Sequence, residues 1–168
     1  LEGVNAERRS AGLPPFQACE PCLKPAQQHS DDMVRQDFIS NTNPDPRRAS
    51  VTERLSVVGV DAAKAAEGIA EHPSLERFGP STYQELATRL VDSWTAAEGL
   101  RSLLMANDLT HFAAACSYLG QDPYPRVRCT QNLVRMRGPQ RGPSNTSTYE
   151  LTIANIIVEG EPVVVEMA

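Results

Sequence analysis

The sequence predicts an α+β fold, with helices first and an antiparallel sheet last. Three observations carry that prediction. Apolar residues recur at helical spacing in the first two thirds of the chain, most clearly in Tyr83, Leu86, Ala87, Leu90, Val91 and Trp94. From Thr110 the period shortens to that of strands, in Thr110–Leu119, Arg126–Val134, Tyr149–Val158 and Val163–Met167. Gly/Pro loops, Gly120–Pro125 and Gly138–Asn145, separate them. Helices on both faces of such a sheet make a three-layer α-β-α sandwich.

Leu1–Ala11 reads as a helix, with Leu1, Val4 and Ala11 on one side and Gly12 as its stop. Leu13–Phe16 is an extended, Pro-rich entry. Cys19-Glu20-Pro21-Cys22 leads into a second helix that runs to about Asp37. Pro21 suits a first helical position. Pro25 costs a hydrogen bond unless the regular helix starts there. Along this helix Ala26, Met33 and Val34 form an apolar stripe with Ser30 between them. Gln27, Gln28, Asp31, Asp32 and Arg35 are expected to face out. Phe38 is the apolar anchor at its end, and Ser40-Asn41-Thr42-Asn43-Pro44 is a polar turn.

Asn43–Ala49 is irregular. Ser50-Val51-Thr52-Glu53 is a capping box, opening a short helix, Glu53–Val58, that Gly59 closes. Ala65–Ala70 reads as a strand around Glu67, and His72–Pro80 as a loop. Ser81-Thr82-Tyr83-Gln84 is a second capping box, ahead of the helix carrying Trp94. Gly99 is expected to end that helix, and Leu100–Ala106 to add a turn or two.

A chain of 168 residues with 40% hydrophobic content fits one domain with a real core. No apolar run is long enough to span a bilayer, so the chain is not read as transmembrane. It begins at Leu1 without a signal peptide, as a processed form or a piece of a longer protein would. A net charge of −5 gives no bulk attraction to nucleic acid. Residues 126–141 hold Arg126, Arg128, Arg135, Arg137 and Arg141 without an acid, so the remainder carries about −10. Cys19, Cys22, Cys116 and Cys129 allow two disulfides in three pairings.

Together the motifs resemble the CAP superfamily of cysteine-rich secretory, antigen 5 and pathogenesis-related proteins, in its bacterial branch. Asn5-Ala6-Glu7-Arg8 with Ala11-Gly12-Leu13-Pro14-Pro15 is similar to the family's "NAER…AGLPPL". Ala26–Met33 is similar to "AxxHSxDM", and Phe38–Pro44 to "FFSHTSP". Ala66–Ala70 is similar to "AENIA", Trp94–Leu104 to "WMNSPGHRxNIL", and Thr130-Gln131-Asn132 to the "TQ" strand. Order and spacing hold over residues 1–135, leaving 136–168 as a C-terminal β extension of the same domain. The resemblance implies the α-β-α sandwich and a secreted protein.

It also implies a cavity of two histidines and two glutamates, often around a divalent metal. Here the first histidine position is Asn41 and the first glutamate is Glu67. The second glutamate position is Ala97, with Glu98 beside it, and the second histidine position is Leu100. His29 belongs to the helix motif, not to the cavity set. One carboxylate and one amide do not make a zinc shell. No metal and no cofactor are therefore expected. Asn41 and Glu67 remain candidates for a small polar ligand, against the plainer reading that Glu67 hydrogen-bonds nearby backbone N–H groups in a relict pocket.

Cys19–Cys22 reads as a structural disulfide, a redox dithiol being the alternative. Cys116 and Cys129, on consecutive strands, suit a cross-strand bridge, and a four-thiolate zinc site is a further alternative. Arg126/Arg128 and Arg135/Arg137 each share a strand face, fit for acidic glycans or anionic lipid, or for pairing with neighbouring acids. Asn145-Thr146-Ser147 is a glycosylation acceptor. The functional expectation is a secreted, non-catalytic module for protein binding or self-association at the cell surface. A lipid or sterol carrier and a hydrolase pairing Glu67 with Glu98 or His111 are the alternatives; His72 and His111 have no ligand spacing between them.

Overall fold

The computed structural model describes residues 1–73, 83–119, 126–138, 157–158 and 161–162. At its centre lie β1 (Gln17–Ala18), β2 (Ala62–Pro73), β3 (His111–Leu119) and β4 (Arg126–Met136), in the order β1-β3-β4-β2. β2, β4 and β3 run antiparallel, whereas β1 joins β3 in parallel. The sheet is therefore mixed, a correction to the antiparallel expectation. Gln17 and Cys19 donate their N–H groups to the carbonyls of Thr110 and Phe112, both at 2.9 Å. A pairing of two residues is too short to leave a period in the sequence.

Strand alternation gives the sheet two apolar faces. Phe112, Cys116, Cys129 and Leu133 join Val4, Phe16, Leu86, Leu90, Trp94 and Leu104 on one of them. That face is covered by α1 (Glu2–Ser10), α4 (Tyr83–Ala96) and α5 (Glu98–Leu104). Ala113 and Val134 join Cys19, Cys22 and Leu55 on the other, under α2 (Glu20–Arg35) and α3 (Val51–Val57). This is the three-layer α-β-α sandwich that the sequence predicts.

The stripe of α2 lies where its period places it, with Ala26, Ser30 and Met33 fully buried. Ser30 donates to the Ala115 carbonyl at 3.0 Å and to Thr130 Oγ1 at 2.9 Å, so a small hydroxyl brings the helix close to the sheet. Pro21 stands in the first turn and Pro25 is buried inside the helix, which starts at Glu20. Asp32 does not face out as expected: it is buried, because the segment after the helix folds back over it. Asp31 is half-buried and accepts from Ser117 and Gln27.

α3 has both capping-box hydrogen bonds and is followed by Gly59 at φ 77, where a residue with a Cβ would be strained. Gly99 does not end α4. That helix stops at Ala96, Ala97 turns extended, and Gly99 lies in the first turn of α5. β2 runs on to Pro73, so His72 is in a strand, not a loop; an edge strand tolerates a terminal proline. The expected capping box at 81–84 begins outside the described residues. In the tail, β5 (Ile157–Val158) and β6 (Glu161–Pro162) pair with each other in a ladder separate from the main sheet. The rest of the expected strands there lies outside the described residues.

Two residues of the first helix tie its own layer together. Asn5 exchanges hydrogen bonds with the backbone of Phe16, at 3.0 and 2.7 Å. Arg8 is buried over the Phe16 ring and donates to the carbonyls of Pro14, Leu104 and Ala106, closing the C-terminal end of α5. Cys19 is bonded to Cys22, and Cys116 to its register partner Cys129. No described helix is long and apolar enough to cross a membrane.

Candidate functional site

Glu67 stands in the middle of β2, between small and apolar residues, and is 7% exposed. Alternation turns its side chain toward α2 and α3. A carboxylate in that position needs a partner, because burying it alone costs several kcal/mol. Arg54 is that partner. It precedes Leu55 on the inward face of α3 and is itself buried. Its Nη2 lies 2.7 and 2.6 Å from the two Glu67 oxygens. The same guanidinium donates to the carbonyls of Arg48, Ala49 and Asn41 at 2.7, 3.0 and 3.3 Å. Glu67 is therefore matched by a cation rather than by the backbone N–H groups the sequence reading expects.

His29, from the buried face of α2, completes the surround. Its Nε2 is 2.9 Å from the Ser40 carbonyl and 3.5 Å from Glu67 Oε1, while Asn43 Nδ2 approaches Nδ1 at 3.3 Å. Acceptors at Nε2 and a donor at Nδ1 select the neutral tautomer with its proton on Nε2. Burial lowers the His29 pKa to about 4, the Arg54 and Arg48 cations adding to it against the Ser40 carbonyl and Asp32. Burial pushes the Glu67 carboxyl up to about 7, against the pull of Arg54. The histidine is neutral wherever the acid is ionised, so their contact is polar and not an ion pair. Asn43 also donates to Asp32 at 2.8 Å and accepts from the Asp45 N–H at 2.9 Å. Asp32 in turn pairs with Arg48 at 3.0 Å and Arg35 at 2.9 Å. One connected polar network thus pins residues 38–50 between α2, α3 and β2.

Of the expected cavity residues, three meet along Glu67 and Gly68. Asn41 Nδ2 lies 3.5 Å from the Glu67 backbone carbonyl. Leu100 reaches β2 from the opposite face: a Cβ built on Gly68 would stand 2.7 Å from its Cδ2. Ala97 and Glu98 are exposed at the start of α5, without a described contact to Glu67. The carboxylate is turned away from Leu100 and under α3.

These residues do not fit the divalent metal that the resemblance implies. The acid has a guanidinium on both oxygens, the amide of Asn41 reaches backbone, and Leu100 has no donor atom. Among the described residues, no three His, Cys, Asp or Glu side chains lie close enough to hold an ion. A hydrolytic partnership with His111 is not assembled either. That residue sits on β3, separated from β2 by β4, with Nδ1 2.8 Å from Thr110 Oγ1.

The arginine-rich strand is divided. Arg128 is buried, a correction to its place on an anion-binding face: it pairs with Glu71 at 2.8 Å and Asp37 at 2.7 Å and donates to the Met33 carbonyl. Its alternation in β4 points it into the α2 layer, where it closes that helix. Arg135 and Arg137 are exposed, Arg137 lying 3.3 Å from Asp61. The Arg126 side chain and Asn145 lie outside what is described.

Arg54, Asn43 and the inward role of His29 and Asp32 escape a reading by periodicity. A signal for Arg54 exists: an acid inside an apolar strand demands a buried cation, and Arg54 is next to the apolar Leu55.

The family model described as Cysteine-rich secretory protein family (CAP) matches residues 1–133. Among solved structures, the chain is similar to an extracellular protein containing a SCP domain from Bacillus anthracis str. Ames, at 23% identity and TM-score 0.57. That match covers 79% of this chain and 37% of the Bacillus protein, so the chain spans little over a third of its length. It is also similar to an outer surface protein from Borrelia burgdorferi, at 12% identity and TM-score 0.61, covering 81% of this chain and 89% of that one. At these identities both likenesses speak for the fold. No curated protein matches.

Proposed function

This chain belongs to the cysteine-rich secretory protein (CAP) family, and on that premise we propose that it is a non-catalytic binding or assembly module of the extracellular space or cell surface. The observation that carries the proposal is the Arg54–Glu67 pair. The one acid retained from the family's cavity is neutralised by a guanidinium 2.6 Å away, and the imidazole positions hold Asn41 and Leu100. A carboxylate held in that way neither binds a cation nor takes a proton from a substrate in a cleft.

Extracellular placement is supported by the two disulfides, which persist in oxidising surroundings, and by the two structural neighbours, an extracellular and an outer surface protein. Partner recognition then falls to the surface, where the exposed Ile39, Val57, Arg135 and Arg137 offer contacts to a protein partner or a second copy.

Calorimetric titration with zinc tests the non-catalytic reading. No stoichiometric heat is expected for the wild-type chain. A tight one-to-one site that disappears in Glu67→Ala would overturn it.

A further inference from the structure

Between α2 and α3 the chain makes a body of its own. Asn43 donates its N–H to the Ala49 carbonyl at 2.9 Å, so residues 43–49 close on themselves. Inside that loop Pro46–Arg48 is a single 3-10 turn, and Asp45 accepts from the Arg47 N–H at 3.0 Å. Of residues 39–50 only Asn43 is buried, a polar peg where an apolar one would be ordinary. None of residues 39–49 joins either apolar core, and Ile39 is half exposed. The contacts that hold the segment down are polar. Asp32 takes Asn43 and Arg48, the Ser40 carbonyl meets His29 Nε2, and Arg54 reaches the carbonyls of Asn41, Arg48 and Ala49. Both flanking helices are secured without it. α2 finishes with Asp37 in the left-handed region at φ 50 and the Phe38 N–H on the Met33 carbonyl at 3.1 Å, a closure that Arg128 braces from β4. α3 starts on its own capping box at Ser50.

We propose that residues 39–49 are a strap over His29 and the Arg54–Glu67 pair, clasped by Asp32, and that the strap opens as a unit while α2, α3 and the sheet stay folded. The reason is an imbalance of burial. On opening, the strap gives up one buried side chain and a set of polar contacts that water largely replaces. The sheet and its helices would have to give up two apolar cores. Neither helix end comes undone, because each is closed by residues outside the strap. Opening bares His29 and releases Arg54 from its three carbonyls. Access to the relict pocket is then set by a minor open state and not by a standing cleft. The strap does not depend on the binding role proposed above, and its failure would leave that role untouched.

Native-state hydrogen exchange, followed by NMR on the full chain at one pH and in low urea, tests the strap. Its reporters are the N–H groups of Asn43, Asp45 and Arg48, whose acceptors lie inside the loop. The reference is Thr130 and Leu133 in the central strand β4. The three strap amides should share one opening constant and exchange at least about 10-fold faster than the β4 pair. Their exchange should hardly respond to urea, as befits an opening that exposes little surface. Asp32→Asn takes the counter-charge from Arg48 and Arg35 and should speed all three together by about 10-fold. Strap amides with the protection and urea slope of Thr130 and Leu133 would overturn the proposal, since the segment would then open only by global unfolding. So would three unrelated constants, or constants that Asp32→Asn leaves where they were, the signature of a frayed loop without a clasp. Should Asp32→Asn fail to fold, the wild-type comparison decides alone.

Discussion

Replacing Arg54 by Met removes one half of the buried pair and leaves the other in place. Arg54 is 3% exposed and donates to both Glu67 oxygens and to three carbonyls. Breaking a buried pair from one side costs about 3–5 kcal/mol where the group left behind is ionised, so the comparison is made above pH 7, the value to which burial pushes the Glu67 carboxyl. The carbonyls of Arg48, Ala49 and Asn41 lose a donor as well, at about 1 kcal/mol each. A loss of about 4 kcal/mol or more is expected, a large part of the roughly 5–15 kcal/mol that holds a domain together. The assay is urea unfolding followed by far-ultraviolet circular dichroism. With a slope of about 2 kcal/mol per molar, the midpoint should fall by about 2 M. The double variant Arg54→Met/Glu67→Leu removes both charges and should recover about half of the loss, because well-packed apolar residues replace a buried pair at little cost. Loss within about 1 kcal/mol for the single variant, or a double variant as poor as the sum of its parts, would refute the reasoning.

Other outcomes follow from the same buried contacts. His29, whose native pKa is lowered to about 4, binds fewer protons when folded; its contribution is complete above its unfolded value and is lost as the pH falls toward 4. Glu67, raised to about 7, acts oppositely: its contribution is complete below its unfolded value and is lost as the pH rises through 7. The two slopes oppose each other in weakly acidic solution, so Glu67→Gln should expose the histidine slope, with urea midpoints showing about 2 kcal/mol less stability near the acid end of that window. A flat profile in Glu67→Gln counts against the buried neutral imidazole. Removing Cys116–Cys129, of sequence separation 13, should destabilise by about 1 kcal/mol more than removing Cys19–Cys22, of separation 3, on loop-closure grounds in paired Cys→Ala chains. Arg8→Met, losing three carbonyl contacts and the Phe16 ring, should lower stability by about 2–3 kcal/mol without moving the Arg54–Glu67 titration behaviour.

What the sequence makes legible is what periodicity controls. The stripe of Ala26, Ser30 and Met33, the α3 capping box and the alternation of β3 and β4 each follow from local spacing, and each stands where it is read. β1 is missed because two paired residues make no period. Gly99 misleads because a glycine marks a helix end as readily as a first turn, and Ala97 breaks the helix first. The candidate site is legible in part. Asn41, Glu67 and Leu100 meet at one stretch of β2, but nothing local says which way the acid faces. Asp32 looks solvent-facing on a helical wheel drawn against the sheet, until residues 38–50 fold over its other side. Arg54 looks like a surface residue after a cap, and its burial follows only from the need of Glu67 for a counter-charge.

The state of the Glu67 carboxyl decides whether the pair is closed or open to a metal, and carbon-13 NMR reads it directly. A titration of that carbon, repeated in the presence of zinc, should give a midpoint near 7 in both series. A midpoint at or below the ordinary glutamate range, shifting when zinc is added, would mean an open acid that a metal can reach, and would contradict the account.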